Sequence, residues 1–428
     1  MKVFSTFQDD YFLTSSSFTF AINRLVLFYQ KMRLLVSLSF ILLKFFSNLY
    51  AQSGIIELEA AVRENSGVLT IAIESTNSLI LSHSRKVFGL HGGYQVVTTN
   101  ESVYRFSLEP SGTNSVKLTI FPRLDDSAVY TGTFKGDDFE HAVLLACDCA
   151  VEYTSNNVGF FAGKLSFVVK EQSMSEIYIS DLLFTKVLAV TSDRSFVMSP
   201  SWSPDGTQLL YTTYHKSGFP DIHLIDLSSG VRQVIANFKG TNNGAQFSPN
   251  GNRIAMTLSG SGNAELYISN KFGRELSRLT NNNSLETSPS WSPDGQSIVY
   301  ASDAPGRPQL FVASATGGAI RRLPTNISRY CAEPDWNPRN SNQITFTAAV
   351  NGRFQIALYD AKLRSSKIIT NLKGSAVEPT WLNDGRHIIL TERLEERSRL
   401  MILDSYSGQV VALHTPSLGN ACEASFVY

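Results

Sequence analysis

Short β-branched and aromatic stretches alternate with polar, glycine-containing turns from about residue 160 to the end of the chain. Examples are "TQLLYTT" at 207–213, "NRIAMTL" at 252–258 and "QSIVYAS" at 296–302. Each follows a turn related to Ser-Pro-Asp-Gly, in which proline presets φ and glycine permits the bulge that often follows. This alternation predicts short antiparallel strands joined by tight turns.

The turns belong to a repeat that places one aromatic residue just before each turn. The octapeptide "SPSWSPDG" stands at 199–206 and again at 288–295. The aromatic position recurs at intervals of 45, 44, 45, 45 and 45 residues, at Trp202, Phe247, Trp291, Trp336, Trp381 and Phe426. A second series with the same period begins a later strand of each unit, at Ile177, Ile222, Leu266, Leu310, Ile356 and Leu400. Two such series predict a repeat protein whose aromatic residues fill the space between units.

Four short strands within each repeat predict a blade of a β-propeller. The last unit has only a first strand, "EASFVY" at 423–428. The segments 163–169, 176–181 and 186–192 resemble the missing second, third and fourth strands. We therefore expect six blades over residues 160–428. The sixth blade would be built from both ends of the domain, which removes the open sheet edges.

Residues 52–153 follow a different pattern. Apolar stretches such as "VLTIAIES" and "SVKLTIFPRL" alternate with helical stretches near 75–88 and 137–147. This pattern predicts a small α/β domain, and "TSNNVG" at 154–159 is interpreted as a linker. The expected fold class is mostly β, with a C-terminal six-bladed propeller preceded by a small α/β domain.

The first 51 residues are interpreted as a signal peptide region. From Met32 the chain has a short basic start, an apolar stretch from Leu34 to Leu43 and Ala51 at the −1 position of a cleavage site. The apolar stretch is shorter than the roughly 20 residues that a membrane span needs. We expect a true start at Met32 and export with cleavage; a buried core helix is the alternative.

Composition excludes some classes of function. The 37 Lys and Arg balance the 37 Asp and Glu, so no net charge attracts nucleic acid. Export permits disulfides, but the cysteines are expected to be unpaired or buried thiols. Cys147 and Cys149 are expected to be neighbours on one face of a strand, where a bond between them is difficult. The other two cysteines are Cys331 and Cys422.

Motifs that carry catalysis are not found in the sequence. It has no Gly-x-Ser-x-Gly elbow, no nucleotide-binding glycine loop and no His-Glu-x-x-His. His223 and His387 fall inside predicted strands, where packing or surface exposure is expected. The acidic pairs at 125–126 and 137–138 are interpreted as loop and helix-start residues. We expect no catalytic residue, no metal and no cofactor.

The arrangement resembles the TolB family. The most similar segments are "MSPSWSPDGTQLLYTT" at 198–213 and the segments 242–270 and 302–324, whereas residues 52–153 match poorly. Arg307 and Pro308 in the last segment also match the family. We place them between second and third strands, on the face opposite the loops that precede the first strands. There they are expected to form a turn that packs on a neighbouring blade.

The resemblance implies a non-enzymatic periplasmic scaffold of the Tol-Pal system that supports outer-membrane integrity and cell division. It implies binding of the peptidoglycan-associated lipoprotein Pal on one propeller face. The implied contacts lie in the loops that lead into the second and third aromatic positions, at Thr241, Asn242, Asn243, Gly244, Glu286, Thr287 and Ser288. Relatives can have His where Thr241 stands, so a His-specific contact would be lost. A TolA-binding segment is not evident in "QSGIIELEAAVRENSG" at 52–67, which leaves that partner open.

Two alternatives to this interpretation stay open. One is a TolB-like adaptor with a changed protein partner. The other is a propeller that binds a small ligand, or acts as a lectin-like or hydrolytic module, in its central channel. The second alternative predicts carboxylates and histidines at matched strand positions, and we expect none. Hydrolases of the prolyl-oligopeptidase type also carry an α/β-hydrolase domain, which we do not expect here.

Overall fold

A computed structural model of the protein describes residues 67–428, with the exception of 124 and 216. The predicted signal peptide and residues 52–66 lie outside the described residues. From Val68 to Tyr428 the chain forms one compact unit. No helix within this described part is long and apolar enough to cross a membrane.

The first part of this unit is a five-stranded mixed sheet with two helices packed against it. The sheet order is β2-β1-β3-β4-β5; β1 is parallel to β2 and β3, and the remaining pairs are antiparallel. The elements are β1 (Leu69–Glu74), α1 (Ser78–Leu90), β2 (Tyr94–Val96), a 3₁₀ turn (Thr99–Glu101), β3 (Tyr104–Pro110), β4 (Ser115–Pro122), β5 (Tyr130–Lys135) and α2 (Phe139–Ser155).

Local capping sets the starts of the two helices. The Asn77 side chain accepts the N–H groups of the first turn of α1, and Asp138 Oδ1 accepts the His141 N–H at 2.8 Å at the start of α2. Helix α2 ends at Ser155, so its last two residues lie within the segment that we interpreted as a linker. The next residue, Asn156, has the left-handed φ of 54° that commonly ends a helix.

The expectation that Cys147 and Cys149 lie on a strand is wrong, because both belong to α2. Buried residues recur along α2 at helical spacing, and this spacing continues well beyond the stretch predicted from the sequence. All four cysteines are free thiols, as expected. Burial raises the pKa of the Cys147 thiol to about 12.

The second part is a propeller of six four-stranded antiparallel sheets, which confirms the predicted fold class. The first three propeller strands along the chain belong to blade six: β6 (Lys164–Glu171), β7 (Met174–Asp181) and β8 (Val187–Ala189). Blades one to three are β9 (Val197–Trp202), β10 (Gln208–Thr213), β11 (Asp221–Asp226), β12 (Arg232–Ala236); β13 (Asn242–Phe247), β14 (Arg253–Leu258), β15 (Glu265–Asn270), β16 (Ser277–Arg278); and β17 (Glu286–Trp291), β18 (Ser297–Ser302), β19 (Gln309–Ser314), β20 (Ile320–Arg322).

Blades four and five follow the same order, and the last strand returns to blade six. Their strands are β21 (Cys331–Trp336), β22 (Gln343–Val350), β23 (Arg353–Asp360), β24 (Ser365–Ile368), β25 (Ser375–Trp381), β26 (His387–Arg393), β27 (Ser398–Asp404) and β28 (Val410–Ala412), and a 3₁₀ turn (Pro416–Leu418) precedes β29 (Asn420–Val427). Strand β29 pairs antiparallel with β6, so Phe426 lies opposite Leu165 and both ends of the propeller share one sheet.

Aromatic residues at the ends of the first strands join neighbouring blades. The indole N–H of Trp202 donates to Ser425 O at 3.3 Å, and that of Trp291 donates to Gln246 O at 3.2 Å. Trp381 makes the same bond to Asp335 O at 3.2 Å. Trp336 differs, because its N–H donates within its own blade.

Candidate functional site

The first strand of every blade lines a central channel and bulges at the same position. Pairing with the second strand shifts register there in all six blades. The bulged residue has a left-handed φ of 50–63° in each case. Such a bulge turns the residue out of the regular ladder. The six bulged residues are Ser199, Gly244, Ser288, Glu333, Glu378 and Glu423.

These strands enclose a cavity of about 340 Å³. All six bulged residues line it, together with polar neighbours such as Asn243 and Asp335. The two halves of the ring differ in chemistry. Blades four, five and six contribute glutamates at the bulge, whereas blades one, two and three contribute serine, glycine and serine.

Each bulge glutamate binds the bulge of the next blade. Glu333 Oε2 accepts the Glu378 N–H at 2.9 Å, and Glu378 Oε2 accepts the Glu423 N–H at 3.0 Å. Glu423 Oε2 accepts the Ser199 N–H at 2.8 Å. The carboxylates therefore link blades four, five, six and one in sequence, through charge-assisted hydrogen bonds.

Side chains behind the channel wall also bind these carboxylates. The Thr347 hydroxyl donates to Glu333 Oε2 at 2.7 Å. Arg393 pairs with Glu378, and Lys170 Nζ lies 3.2 Å from Glu423 Oε1. In the described part of the chain, neither Glu333 nor Asp335 has a cation within ion-pair distance.

Asp335 connects three blades from within the wall. Its Oδ1 accepts the Ser290 hydroxyl at 3.0 Å, and its Oδ2 accepts the Trp381 N–H at 2.8 Å. Burial raises the pKa of Asp335 to about 6. Burial, and then the charge of Glu378, also raise the pKa values of Glu333 and Glu423.

The expectation that no carboxylates occupy matched channel positions is therefore wrong. Glu333, Glu378 and Glu423 recur at 45-residue intervals, each three residues before an aromatic anchor. Their fixed spacing from the anchors is visible in the sequence, whereas the bulge that turns them towards the channel is not. Among the residues that the structure describes, no group of three side chains is arranged to hold a metal ion. Their hydrogen bonds to neighbouring blades instead assign these carboxylates a role in joining the ring.

At the boundary between blades one and two, the Asn243 side chain supplies the acceptor oxygen that a glutamate supplies in blades four and five. Its Oδ1 accepts the Gly244 N–H at 2.6 Å and the Thr212 hydroxyl at 3.1 Å. A carboxamide of blade two thus binds the hydroxyl of blade one and the bulge of its own strand. The same pair of donors, a threonine hydroxyl and a bulge N–H, binds the carboxylates of blades four and five.

The residues that the sequence suggested as contacts occupy three environments. Thr241 and Thr287 are exposed at the rim of the channel. Asn243, Gly244 and Ser288 line the channel itself. The remaining two, Asn242 and Glu286, are fully buried, so their side chains cannot touch a partner directly.

The buried Asn242 shapes the loop that carries Thr241. Its side-chain amide donates to Phe238 O at 2.7 Å and to Pro220 O at 2.9 Å. Its Oδ1 accepts the Phe238 N–H at 3.0 Å. Asn242 therefore holds together two loops on the same face of the propeller.

The buried Glu286 holds the next loop in the same way. It accepts the Ser302 hydroxyl at 2.8 Å and the Asn282 side-chain amide at 3.0 Å. Burial, and then the Glu265 carboxylate, raise the pKa of Glu286. At Glu265, burial is outweighed by hydrogen bonds from the Thr280 side chain, the Asn282 N–H and Arg278, and the pKa is lowered.

The propeller has two faces, defined by its loops. The channel face carries the loops that precede first strands and those that join second to third strands. The turn face carries the Ser-Pro-Asp-Gly-type turns and the loops that join third to fourth strands. On the channel face, the Leu285 N–H donates to Asp303 Oδ1 at 2.8 Å, which ties the two kinds of loop together.

The predicted face of Arg307 and Pro308 is wrong. They join β18 to β19, and antiparallel strands return this loop to the channel face, where β17 begins. Pro308 O accepts the Cys331 N–H at 2.9 Å, so this turn does contact the neighbouring blade.

The α/β domain contacts the turn face. Lys86 Nζ donates to Leu183 O at 2.8 Å, and the Asn383 amide donates to Gly159 O at 2.9 Å. His91 packs 4.4 Å, between ring centroids, from the buried His387. These contacts lie at blades five and six, away from the channel face.

Four large apolar side chains are exposed on the channel face of blades one to three. Phe196 and Phe238 are 46% exposed, Leu285 is 51% exposed and Phe219 is 63% exposed. Phe238 and Phe219 belong to the two loops that Asn242 joins. Exposed apolar side chains also occur on the turn face, at Val231, Phe272, Leu363 and Tyr406. A group of such side chains beside a polar cavity can mark a protein interaction site.

Known proteins resemble this chain in sequence and in fold. The family model described as the TolB beta propeller domain matches residues 151–425. The Tol-Pal system protein TolB of Francisella tularensis is 28% identical over 292 residues, which cover 59% of this chain and 64% of the relative. That of Anaeromyxobacter dehalogenans is 30% identical over 155 residues, which cover 36% of this chain and 35% of the relative. The matched region thus spans less than two thirds of the length of these curated relatives.

A solved structure extends the similarity to the fold of both parts. The crystal structure of TolB from Acinetobacter baumannii matches with a TM-score of 0.76 and 21% identity, over 84% of this chain and 97% of that chain. At this identity the match shows a common fold. Because the family model covers most of the propeller and more than half of the chain, the protein belongs to the TolB β-propeller family.

Proposed function

We propose that the protein is a non-enzymatic periplasmic component of the Tol-Pal system that binds the lipoprotein Pal with the channel face of its propeller. Membership in the TolB β-propeller family and the names of its relatives support this assignment. In this role the protein would link envelope layers and support outer-membrane integrity and cell division.

One observation carries the choice of surface. The exposed residues Phe196, Phe219, Phe238 and Leu285 lie on the channel face beside a polar channel mouth. Apolar side chains beside polar groups are the usual composition of a protein interface. The turn face, in contrast, already contacts the α/β domain at blades five and six.

On this proposal, the suggested contact residues would have two different roles. Thr241 and Thr287 are exposed and would touch the partner directly. Asn242 and Glu286 would act by holding the loops that present them. The cavity of about 340 Å³ is too small for a folded domain, so a partner would insert only a few side chains of a loop.

Calorimetric titration of the purified protein with the soluble domain of Pal from the same organism tests the proposal. We expect saturable binding that Thr287→Arg abolishes, because a long charged side chain at the rim would block close approach. The matched control is Gln296→Arg, an exposed position on the turn face of the same blade, which should bind like the unmodified protein.

The other outcomes are equally informative. No binding by the unmodified protein would contradict Pal as the partner and favour a TolB-like adaptor with a changed partner. Binding that Thr287→Arg leaves intact but Gln296→Arg abolishes would move the site to the turn face. The segment 52–66, where a TolA contact would be sought, lies outside the described residues.

A further inference from the structure

One boundary of the channel ring lacks the acceptor that similar boundaries have. Between blades four and five, Glu333 accepts a threonine hydroxyl and the next bulge N–H. Between blades five and six, Glu378 does the same. Between blades one and two, Asn243 supplies the acceptor oxygen. Between blades two and three, the matching bulge residue is Gly244, which has no side chain.

The hydroxyl that such an acceptor would bind is present at this boundary. Thr257 lies opposite Asn243 on the second strand, the register position that Thr347 and Thr391 occupy in their blades. Its side chain is only 3% exposed, and its Oγ1 has no hydrogen-bond partner within the described part of the chain. A buried hydroxyl without a partner is costly, which points to a missing group.

The space beside Gly244 has room for the first atom of a side chain. A Cβ atom built on Gly244 would lie 4.0 Å from Thr257 Oγ1 and 3.7 Å from Pro289 Cδ, which are ordinary contact distances. Gly244 lines the central cavity, and the buried Thr257 hydroxyl lies behind it. A group inserted from the channel face would therefore have to widen the gap beside Gly244 to reach this hydroxyl. The boundary between blades three and four differs, because Ala301 occupies the threonine position there.

We propose that the gap beside Gly244 and Thr257 is a subsite for a side-chain carboxamide, presented as Asn or Gln by a loop of the bound partner. This inference rests on the proposed function, in which a partner loop enters the channel. The carbonyl oxygen would accept the Thr257 hydroxyl, as Asn243 accepts that of Thr212. The amide nitrogen would donate to acceptors of the channel.

The charges of the channel favour a carboxamide over a carboxylate. Glu333 and Asp335 line the same cavity, and neither has a cation within ion-pair distance among the described residues. A further carboxylate would be repelled by them, whereas a neutral amide supplies the acceptor without added charge. A lysine would bring a favourable charge but no acceptor oxygen for the Thr257 hydroxyl.

Small probes test the subsite without a protein partner. Amide NMR spectra of the full protein would be recorded with the N-acetyl N-methylamides of glutamine, glutamate, lysine and norleucine. We expect only the glutamine probe to give saturable shifts at Gly244 and Ser288, with a millimolar dissociation constant. Equal shifts with all four probes, stronger binding of glutamate or lysine, or no saturable shift would each overturn the inference.

Matched variants locate the binding. Thr257→Val should weaken the glutamine probe about five- to tenfold, the value of one hydrogen bond. Valine fits this environment, since Val168 occupies the same register position in blade six. The control is Thr391→Val, whose hydroxyl is already bound to Glu378, and it should leave the probe's affinity unchanged. An equal loss in both variants would contradict the subsite.

A third variant separates this inference from the proposed function. Gly244→Gln should fill the gap from within and abolish probe binding; glutamates with the same left-handed backbone in blades four to six show that a long side chain is accommodated. If the probe binds as expected but Pal does not, the subsite stands and the proposed function fails. If Pal binds equally well to Gly244→Gln and no probe binds, the function stands and the subsite fails.

Discussion

Glu378 of the fifth blade accepts the backbone N–H of Glu423 in the sixth blade at 3.0 Å. A carboxylate of one blade thereby holds the bulge of the next. Glu333 makes the same bond to Glu378, and Glu423 makes it to Ser199. The three bonds span blade six, the blade in which the two ends of the propeller meet. Blade six is assembled from two distant segments of the chain, β6–β8 and β29. The carboxylates therefore strengthen the ring at the blade where it is closed.

Removing the central carboxylate should open this part of the ring. Glu378→Ala leaves the Thr391 hydroxyl and the Arg393 guanidinium without their acceptor, and leaves the Glu423 N–H with only its bond to Thr391 Oγ1 at 3.2 Å. We expect the free energy of unfolding to fall by about 2–4 kcal/mol, measured by urea denaturation. Glu395→Ala, at an exposed loop position, is the control and should change it by less than about 0.5 kcal/mol. Equal effects of the two variants would contradict the role of Glu378.

The buried Asp335 should make stability depend on pH. Its pKa is raised from 3.8 to about 6 by burial, so the folded state binds its proton more tightly than the unfolded state. The stabilisation is fully present below about pH 4 and is lost as pH rises towards 6. In the unmodified protein, the free energy of unfolding should therefore fall by about 3 kcal/mol over this pH range, since one pKa unit is worth about 1.4 kcal/mol. Asp335→Asn should lack this fall. Urea unfolding at pH 4 and pH 7 measures the difference; parallel curves for both proteins would refute it.

The closing strand should be sensitive to a single methyl group. A Cβ atom on Gly163 would lie 2.1 Å from Phe426 Cζ, so Gly163→Ala must displace the aromatic anchor of β29. We expect a loss of about 1–3 kcal/mol of unfolding free energy. Gly89→Ala in helix α1 is the matched control, because a Cβ atom there would meet no atom of a neighbouring element within 4 Å, and it should gain about 0.5–1 kcal/mol. Thermal or urea unfolding that ranks the two variants in the reverse order would exclude this role of Phe426 in the closure.

The exposed apolar residues should contribute to partner affinity but not to stability. Phe238→Ser removes a side chain that is 46% exposed on the channel face. On the proposed function, we expect Pal binding to weaken about tenfold while the unfolding free energy stays within about 0.5 kcal/mol. Leu363→Ser, exposed on the turn face, should leave affinity unchanged. If both variants bind Pal equally well, the apolar residues are not part of the interface.

The propeller could be predicted from sequence because its repeat is carried by residues with a single structural role. Trp202, Trp291 and Trp381 recur with the blade period, and each joins its blade to the preceding one. The closure by β29 followed from the strand that the last unit retains. The length of α2 was underestimated from the sequence, because small apolar residues such as Ala150 and Val151 give a weaker periodic signal than the aromatic anchors do.

The site was harder to predict because loop residues of similar polarity have different environments. Asn242 and Asn243 are adjacent and chemically identical, yet Asn242 is fully buried between two loops and Asn243 lines the channel. The bulge, which the sequence does not indicate when Ser, Gly and Glu share one position, decides which side chain faces the channel. The unpartnered Thr257 could not be recognised without the register that places it opposite Asn243, next to the bulge at Gly244.

Hydrogen exchange with and without the soluble domain of Pal tests the central claim, that the channel face is the partner surface. We expect slowed exchange of backbone amides in the segments 238–244 and 282–288, which comprise a channel-face loop and the start of the following first strand. Exchange should stay unchanged in the turns 204–207 and 293–296 of the turn face. Protection confined to the turn face, or to the α/β domain, would contradict the claim.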